Sequence, residues 1–144
     1  MLVSEILRIK GTVLFTTPPE APVMDAVKCM AHHDIGSLVV MDYGRMIGIV
    51  TFAEVLRALA DGGGTIGDLK IIAITERSPL TAAPSIDVNE LRRTMLDRHA
   101  RYVPVMDGNT LLGVVSFHDV AKAVLEEQSL ENEMLKHYIQ DAPA

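Results

Sequence analysis

The chain has 144 residues, 49% of them hydrophobic and 22% charged, which is enough apolar content for a packed fold and excludes disorder. A net charge of −6, with no basic run longer than Arg92–Arg93, excludes a nucleic-acid backbone as the main partner. The single cysteine, Cys29, rules out an internal disulfide, and no apolar run approaches the roughly 18 residues that span a bilayer, so a soluble cytoplasmic protein without a membrane partner is expected.

Met1 to Lys10 has too short an apolar stretch for a signal peptide. A short strand is predicted around Thr12–Phe15. Ala21-Pro22-Val23 then opens an amphipathic helix, with Val23, Ala26, Val27 and Met30 at helical spacing. Ser37 to Met41 reads as a strand, Asp42-Tyr43-Gly44-Arg45 as a hairpin turn, and Met46 to Val50 as the returning strand. A helix follows from Thr51, and Gly62-Gly63-Gly64 marks a linker. The same series then recurs. A strand near Thr81 precedes a helix that starts at Asp87, with Glu90 three residues on and Val88, Leu91 and Met95 facing inward. Tyr102 to Met106, the turn Asp107-Gly108-Asn109-Thr110, Leu111 to Val115 and a helix from Ser116 complete it.

An offset of 65 residues carries Thr16–Ala58 onto Thr81–Ala123 without a gap. Identical pairs include Pro19/Pro84, Val23/Val88, Met30/Met95, Gly48/Gly113 and Phe52/Phe117, and Val40-Met41-Asp42 matches Val105-Met106-Asp107. Each unit of about 60 residues is too small to bury much surface alone, so the two are expected to pack on each other. The expected divisions are residues 1–63, 64–126 and a C-terminal helix and tail over 127–144.

Gly48-Ile49-Val50-Thr51-Phe52-Ala53-Glu54 and Gly113-Val114-Val115-Ser116-Phe117-His118-Asp119 are the strongest signatures. They resemble the Gly-hydrophobic-hydrophobic-Thr/Ser-x-x-Asp motif of the CBS-domain family, and Val3 to Leu7 and Ile66 to Leu69 resemble that family's entry to each unit. The resemblance implies an α+β fold of two βαββα units related by a pseudo-twofold axis, with a cleft for each motif. It also implies a regulatory module, commonly homodimeric, that takes an adenine nucleotide such as AMP, ADP, ATP, NAD or S-adenosylmethionine as ligand and requires no cofactor.

The residues support such a site independently. Ser116 and Thr51 lie where a strand yields to a helix, so a phosphate there meets backbone N–H groups, the positive end of the helix dipole and a hydroxyl. Asp119, one turn on, is placed to accept hydrogen bonds from a ribose. Gly36, Ser37 and Leu38, with Tyr102, Val103 and Pro104, are expected to line the base, and Pro104, lacking an N–H, suits a strand edge. His118 and Arg101 (and, beside it, Arg98) are candidates for phosphate. Thr16, matched by Thr81 in the repeat, belongs to the same candidate set. A second reading stays open: Thr51-x-x-Glu54 and Ser116-x-x-Asp119 also describe helix caps in which each side chain satisfies an orphan N–H. Glu54 departs from the family's Asp, so the Asp119 cleft is the better candidate.

Other chemistry finds little support. His32 and His33 are adjacent on a helix, point about 100° apart, and lack a carboxylate or cysteine cluster for a metal. Cys29 has no evident base, and Gly62-Gly63-Gly64 lacks the lysine of a phosphate loop. An enzyme would have to rest on His118, and no enzymatic activity is expected. Ala121 to Gln140 is predicted to run on as one helix, with Val124, Leu130, Met134, Leu135, Tyr138 and Ile139 as an apolar face. That helix is expected to cross a dimer interface, to pack on the first unit or to serve as a handle for an effector protein. A ligand-free module for dimerisation or protein interaction is the alternative function.

Overall fold

The computed structural model describes residues 1–11 and 13–141. Its elements, in chain order, are α1 (Val3–Lys10), β1 (Thr16–Thr17), α2 (Val23–His33), β2 (Ser37–Asp42), β3 (Arg45–Thr51) and α3 (Phe52–Asp61). After a 3-10 turn at Ile71–Ala73 come α4 (Val88–Asp97), β4 (Tyr102–Asp107), β5 (Thr110–Ser116) and α5 (Phe117–Asp141). The fold is α+β, with helices around two small sheets.

The hairpins repeat in detail. β2 pairs antiparallel with β3, and β4 with β5, each with a bulge, between Val40 and Met41 or between Val105 and Met106. The first turn places Tyr43 and Gly44 at positive φ, 48° and 77°, the twist that a two-residue hairpin turn requires. The predicted strand at Thr12–Phe15 lies in part outside the described residues. Pairing begins at Thr16–Thr17, parallel to Val39 and Val40 in β2. Its counterpart shrinks to one parallel bridge between Ala82 and Val105. At α4 the cap forms through Asp87, which accepts from the Asn89 N–H at 2.9 Å; no reciprocal bond from Glu90 is formed.

The two cores exchange their entry segments. Ile71, from the linker, is fully buried with Val23, Ala26, Met30, Leu38, Val40 and Val50 of the first unit. Val3 and Ile6 of α1 are buried with Leu91, Met95, Val103, Val115 and Val120 of the second. Backbone bonds fix the exchange: Val3 N–H donates to Ile86 O at 3.0 Å, and Ile71 N–H to Ala21 O at 2.9 Å. Burying one such side chain contributes about 1.5–3 kcal/mol, so each segment holds its place by apolar packing more than by its few hydrogen bonds.

Glycines permit the closest approaches. A Cβ at Gly113 would lie 2.8 Å from Leu7 Cδ2 of α1, and one at Gly48 would overlap the backbone carbonyl of Glu76, whose chain pairs with Ile49. Neither glycine has a left-handed φ; what matters is the absence of a side chain.

α5 is one unbroken helix of 25 residues. Val120, Ala123 and Val124 face the second unit's core, and the same helical stripe continues as Leu130, Met134 and Tyr138. These three are 58%, 64% and 76% exposed, so this stripe of the helix is not packed on the first unit within this chain. Among the described residues, no helix is long and apolar enough to cross a membrane.

Candidate functional site

Each strand-to-helix junction is closed by the same scheme. At α3, Thr51 N–H donates to Glu54 Oε1 at 2.9 Å, the Thr51 hydroxyl donates to the same oxygen at 3.0 Å and accepts from Ala53 N–H at 3.2 Å. At α5, Ser116 N–H donates to Asp119 Oδ2 at 2.9 Å and Asp119 N–H donates to Ser116 Oγ at 3.0 Å. The next amide at each start extends its own hairpin ladder: Phe52 N–H donates to Gly36 O at 3.3 Å and Phe117 N–H to Arg101 O at 2.8 Å. Both motifs are therefore helix caps. At α5 the His118 N–H remains, among the described residues, as the first-turn donor without a protein acceptor.

Two clefts open at these junctions, of about 630 Å³ beside Ser116 and about 530 Å³ beside Thr51. Both are within the size range of small-molecule sites. The Ser116 cleft is walled by Val13, Leu14 and Phe15, by Gly36 and Ser37, and by Arg101 and Tyr102, with Ser116, Phe117 and His118 along the start of α5. The Thr51 cleft is walled by Thr51 and Glu54, by Arg98 to Tyr102, and by Ser78, Pro79 and Leu80. Arg101 and Tyr102 thus line both. A side chain at Gly36 would overlap the Tyr102 hydroxyl and come within 2.7 Å of Phe52, so the glycine lets the Tyr102 ring stand between the clefts.

Asp119 does not itself line the cleft, but it is held to two residues that do, Ser116 and an unforeseen partner. Lys10, the last residue of α1, donates to Asp119 Oδ2 at 2.7 Å and to Val114 O at 3.0 Å. Partial burial alone would raise the Asp119 pKa. The bonds from Lys10 and from Ser116 outweigh it and hold the carboxyl below its ordinary value. Glu54 bonds to Thr51 alone and, among the described residues, has no such cation.

Ser116, His118, Arg101, Tyr102, Gly36 and Ser37 are brought together in one cleft, and Thr51, Glu54, Arg98, Arg101 and Tyr102 in the other. Five expected residues line neither cleft, among them Asp119, which reaches the Ser116 cleft only through its bonds to Ser116 and Lys10. Leu38 and Val103 are 1% and 0% exposed and belong to the two cores, because strands covered on both faces bury alternate side chains away from the cleft. Pro104 is also buried; its edge is occupied by Ala82, whose N–H donates to Pro104 O at 3.0 Å. Thr16 pairs with Val39 in β1 and does not line either cleft. Conversely, residues 13–15 and 78–80, which wall the clefts, were not singled out in the sequence. They lie just before the matched stretch that begins at Thr16 and Thr81, and Val-Leu-Phe matches Ser-Pro-Leu at no position, so the repeat did not mark them. His33, set aside as a metal ligand, stacks on Phe15 with ring centroids 4.3 Å apart.

The duplicated hairpin, the duplicated cap and the twin clefts are matched by known proteins. The family model of the CBS domain covers residues 3–61 and again 67–126. The chain belongs to the CBS-domain family. Its relative in Arabidopsis thaliana, the mitochondrial CBS domain-containing protein CBSX3, is 32% identical over 148 residues, spanning 96% of this chain and 71% of the relative. Among solved structures, a protein with CBS domains from Burkholderia ambifaria superposes with a TM-score of 0.82 at 29% identity, over 89% of this chain and 96% of that one. The CBS domain pair of protein MJ0100, crystallised in complex with 5′-methylthioadenosine and S-adenosyl-L-methionine, superposes with a TM-score of 0.77 at 26% identity, over 88% and 98%. The chain is thus a tandem CBS pair with a helical extension.

Proposed function

We propose that this CBS pair is a regulatory module that binds an adenine nucleotide of the AMP, ADP, ATP, NAD or S-adenosylmethionine class, chiefly in the Ser116 cleft, and performs no chemistry of its own. The observation that carries this reading is the convergence in one cavity of a helix start with a free His118 N–H, the Ser116 hydroxyl and the Tyr102 ring, with the Asp119 carboxylate bonded to Ser116 and Lys10 of its lining. In that arrangement the helix start takes a phosphate, Asp119 takes the ribose hydroxyls, and Tyr102 with Gly36 takes the flat face of the base. The MJ0100 pair, crystallised with two adenosine compounds, supports the ligand class.

Occupancy would act by population shift. A ligand seated between β4, the start of α5 and the segment 13–15 touches both units, so it favours the arrangement in which those walls fit it. The exposed apolar stripe of α5 supports a homodimer or an effector partner as the recipient of that change, and the lone, half-buried Cys29 suits the reducing cytoplasm. One observation favours a second reading, a ligand-free interaction module: both carboxylates already serve as helix caps.

Thermal unfolding with each of the five ligands, in the wild type and in Asp119→Ala, separates the two. Ligand at 100 times its Kd stabilises by about 2.7 kcal/mol, a shift of several degrees. A shift for one adenine compound that is lost in the variant supports the sensor; no shift for any of them leaves the interaction module.

A further inference from the structure

The Lys10–Asp119 pair joins the two ends of the chain across 109 positions and closes one edge of the Ser116 cleft. Its geometry constrains any ligand there. Asp119 Oδ2 already accepts from both Lys10 Nζ and Ser116 N–H, so a ribose that engages both carboxylate oxygens competes with the ammonium for Oδ2. Lys10 is 42% exposed and sits on a flexible stem at the end of α1, so it can leave Asp119 without disturbing the core. Lys10 lines the same cavity as Ser116 and His118, which puts the released ammonium within reach of the start of α5.

The charge balance after release depends on the ligand. A neutral nucleoside breaks the ion pair and brings no replacement, and a cationic one adds a like charge. A 5′-phosphate at the start of α5 supplies the anion that Lys10 has lost, in a charge-assisted hydrogen bond. Resting on the nucleotide reading of the Ser116 cleft, we infer that Lys10 is a specificity-determining residue which selects nucleotides bearing a 5′-phosphate over uncharged adenosine. It does so by exchanging the Asp119 carboxylate for the ligand's phosphate. In the Thr51 cleft, Glu54 bonds only to Thr51 among the described residues, so no such exchange is available there.

Calorimetric titration of AMP and of adenosine into the wild type, Lys10→Met and Lys10→Arg tests this. Lys10→Met is expected to lower the preference for AMP over adenosine by about tenfold or more, the worth of one charge-assisted bond. Adenosine itself should bind the variant as well as or better than the wild type, since its competitor for Asp119 is gone. Lys10→Arg should keep the AMP preference. Equal weakening of both ligands in Lys10→Met, with unchanged unfolding temperature, would reduce Lys10 to a structural tether and overturn the inference. An unchanged AMP-to-adenosine ratio would overturn it too. If neither compound binds the wild type, the nucleotide reading of the cleft fails first and takes the inference with it.

Discussion

The Ser116 and Thr51 clefts are built on one repeated backbone, with equivalent hairpins and equivalent capped helix starts, yet their carboxylates live in different fields. Glu54 spends both of its hydrogen bonds on Thr51, its own helix start. Asp119 divides its bonds between Ser116 and Lys10, a residue from the opposite end of the chain. The difference traces to Asp in place of Glu and to the exchange of entry segments, which carries α1, with Lys10 at its end, onto the second unit. Duplication preserves topology because the buried positions must match. It leaves the polar positions free to diverge, and function follows those.

The largest effect is expected where the clefts meet. Gly36→Val forces a side chain into the Tyr102 hydroxyl and Phe52, so it should damage both clefts at once. Overpacking of this kind costs about 1–3 kcal/mol, a drop of several degrees in Tm by calorimetry. A Tm equal to that of the wild type would mean that Tyr102 is free to move aside and does not hold the clefts apart.

Removing the caps sharpens the comparison. Glu54→Ala and Asp119→Ala each lose one reciprocal cap, worth about 1 kcal/mol in denaturant unfolding. Asp119→Ala also strands Lys10, but that pair is part-exposed and adds at most about 1 kcal/mol. The two variants should therefore be close in stability, with Asp119→Ala the less stable. A far larger gap would show that the Lys10 pair anchors α1.

The smallest effect is in pH. The Asp119 pKa is depressed in the folded protein, so its contribution is present above the carboxylate's ordinary range and lost as pH falls through the folded pKa. Unfolding midpoints followed below pH 5 should fall less steeply in Lys10→Met than in the wild type. Parallel curves would remove Lys10 as a cause of the depression.

Much of this fold could be read from single positions. The repeat gave the order of elements, Tyr43-Gly44 gave the first turn, and Thr51 and Ser116 marked both helix starts, since all of these are local or periodic signals. What was hidden is long-range. No local pattern tells that Ile71 fills the first core or that Lys10 meets Asp119, because those contacts depend on how the two units cross. Leu38, Val103 and Pro104 were misplaced for a related reason. In Ser37–Met41 and Tyr102–Met106 the apolar run is nearly continuous, so it does not say which side chains face the core and which the cleft. The α5 stripe was visible, but its exposure beyond Glu127 was not.

The central claim is that the two clefts are unequal and that the Ser116 cleft is the nucleotide site. Calorimetric titration of AMP into the wild type, Glu54→Ala and Asp119→Ala tests it most directly. The account predicts one principal site per chain, retained in Glu54→Ala and lost in Asp119→Ala. Binding that survives Asp119→Ala and disappears in Glu54→Ala would contradict it.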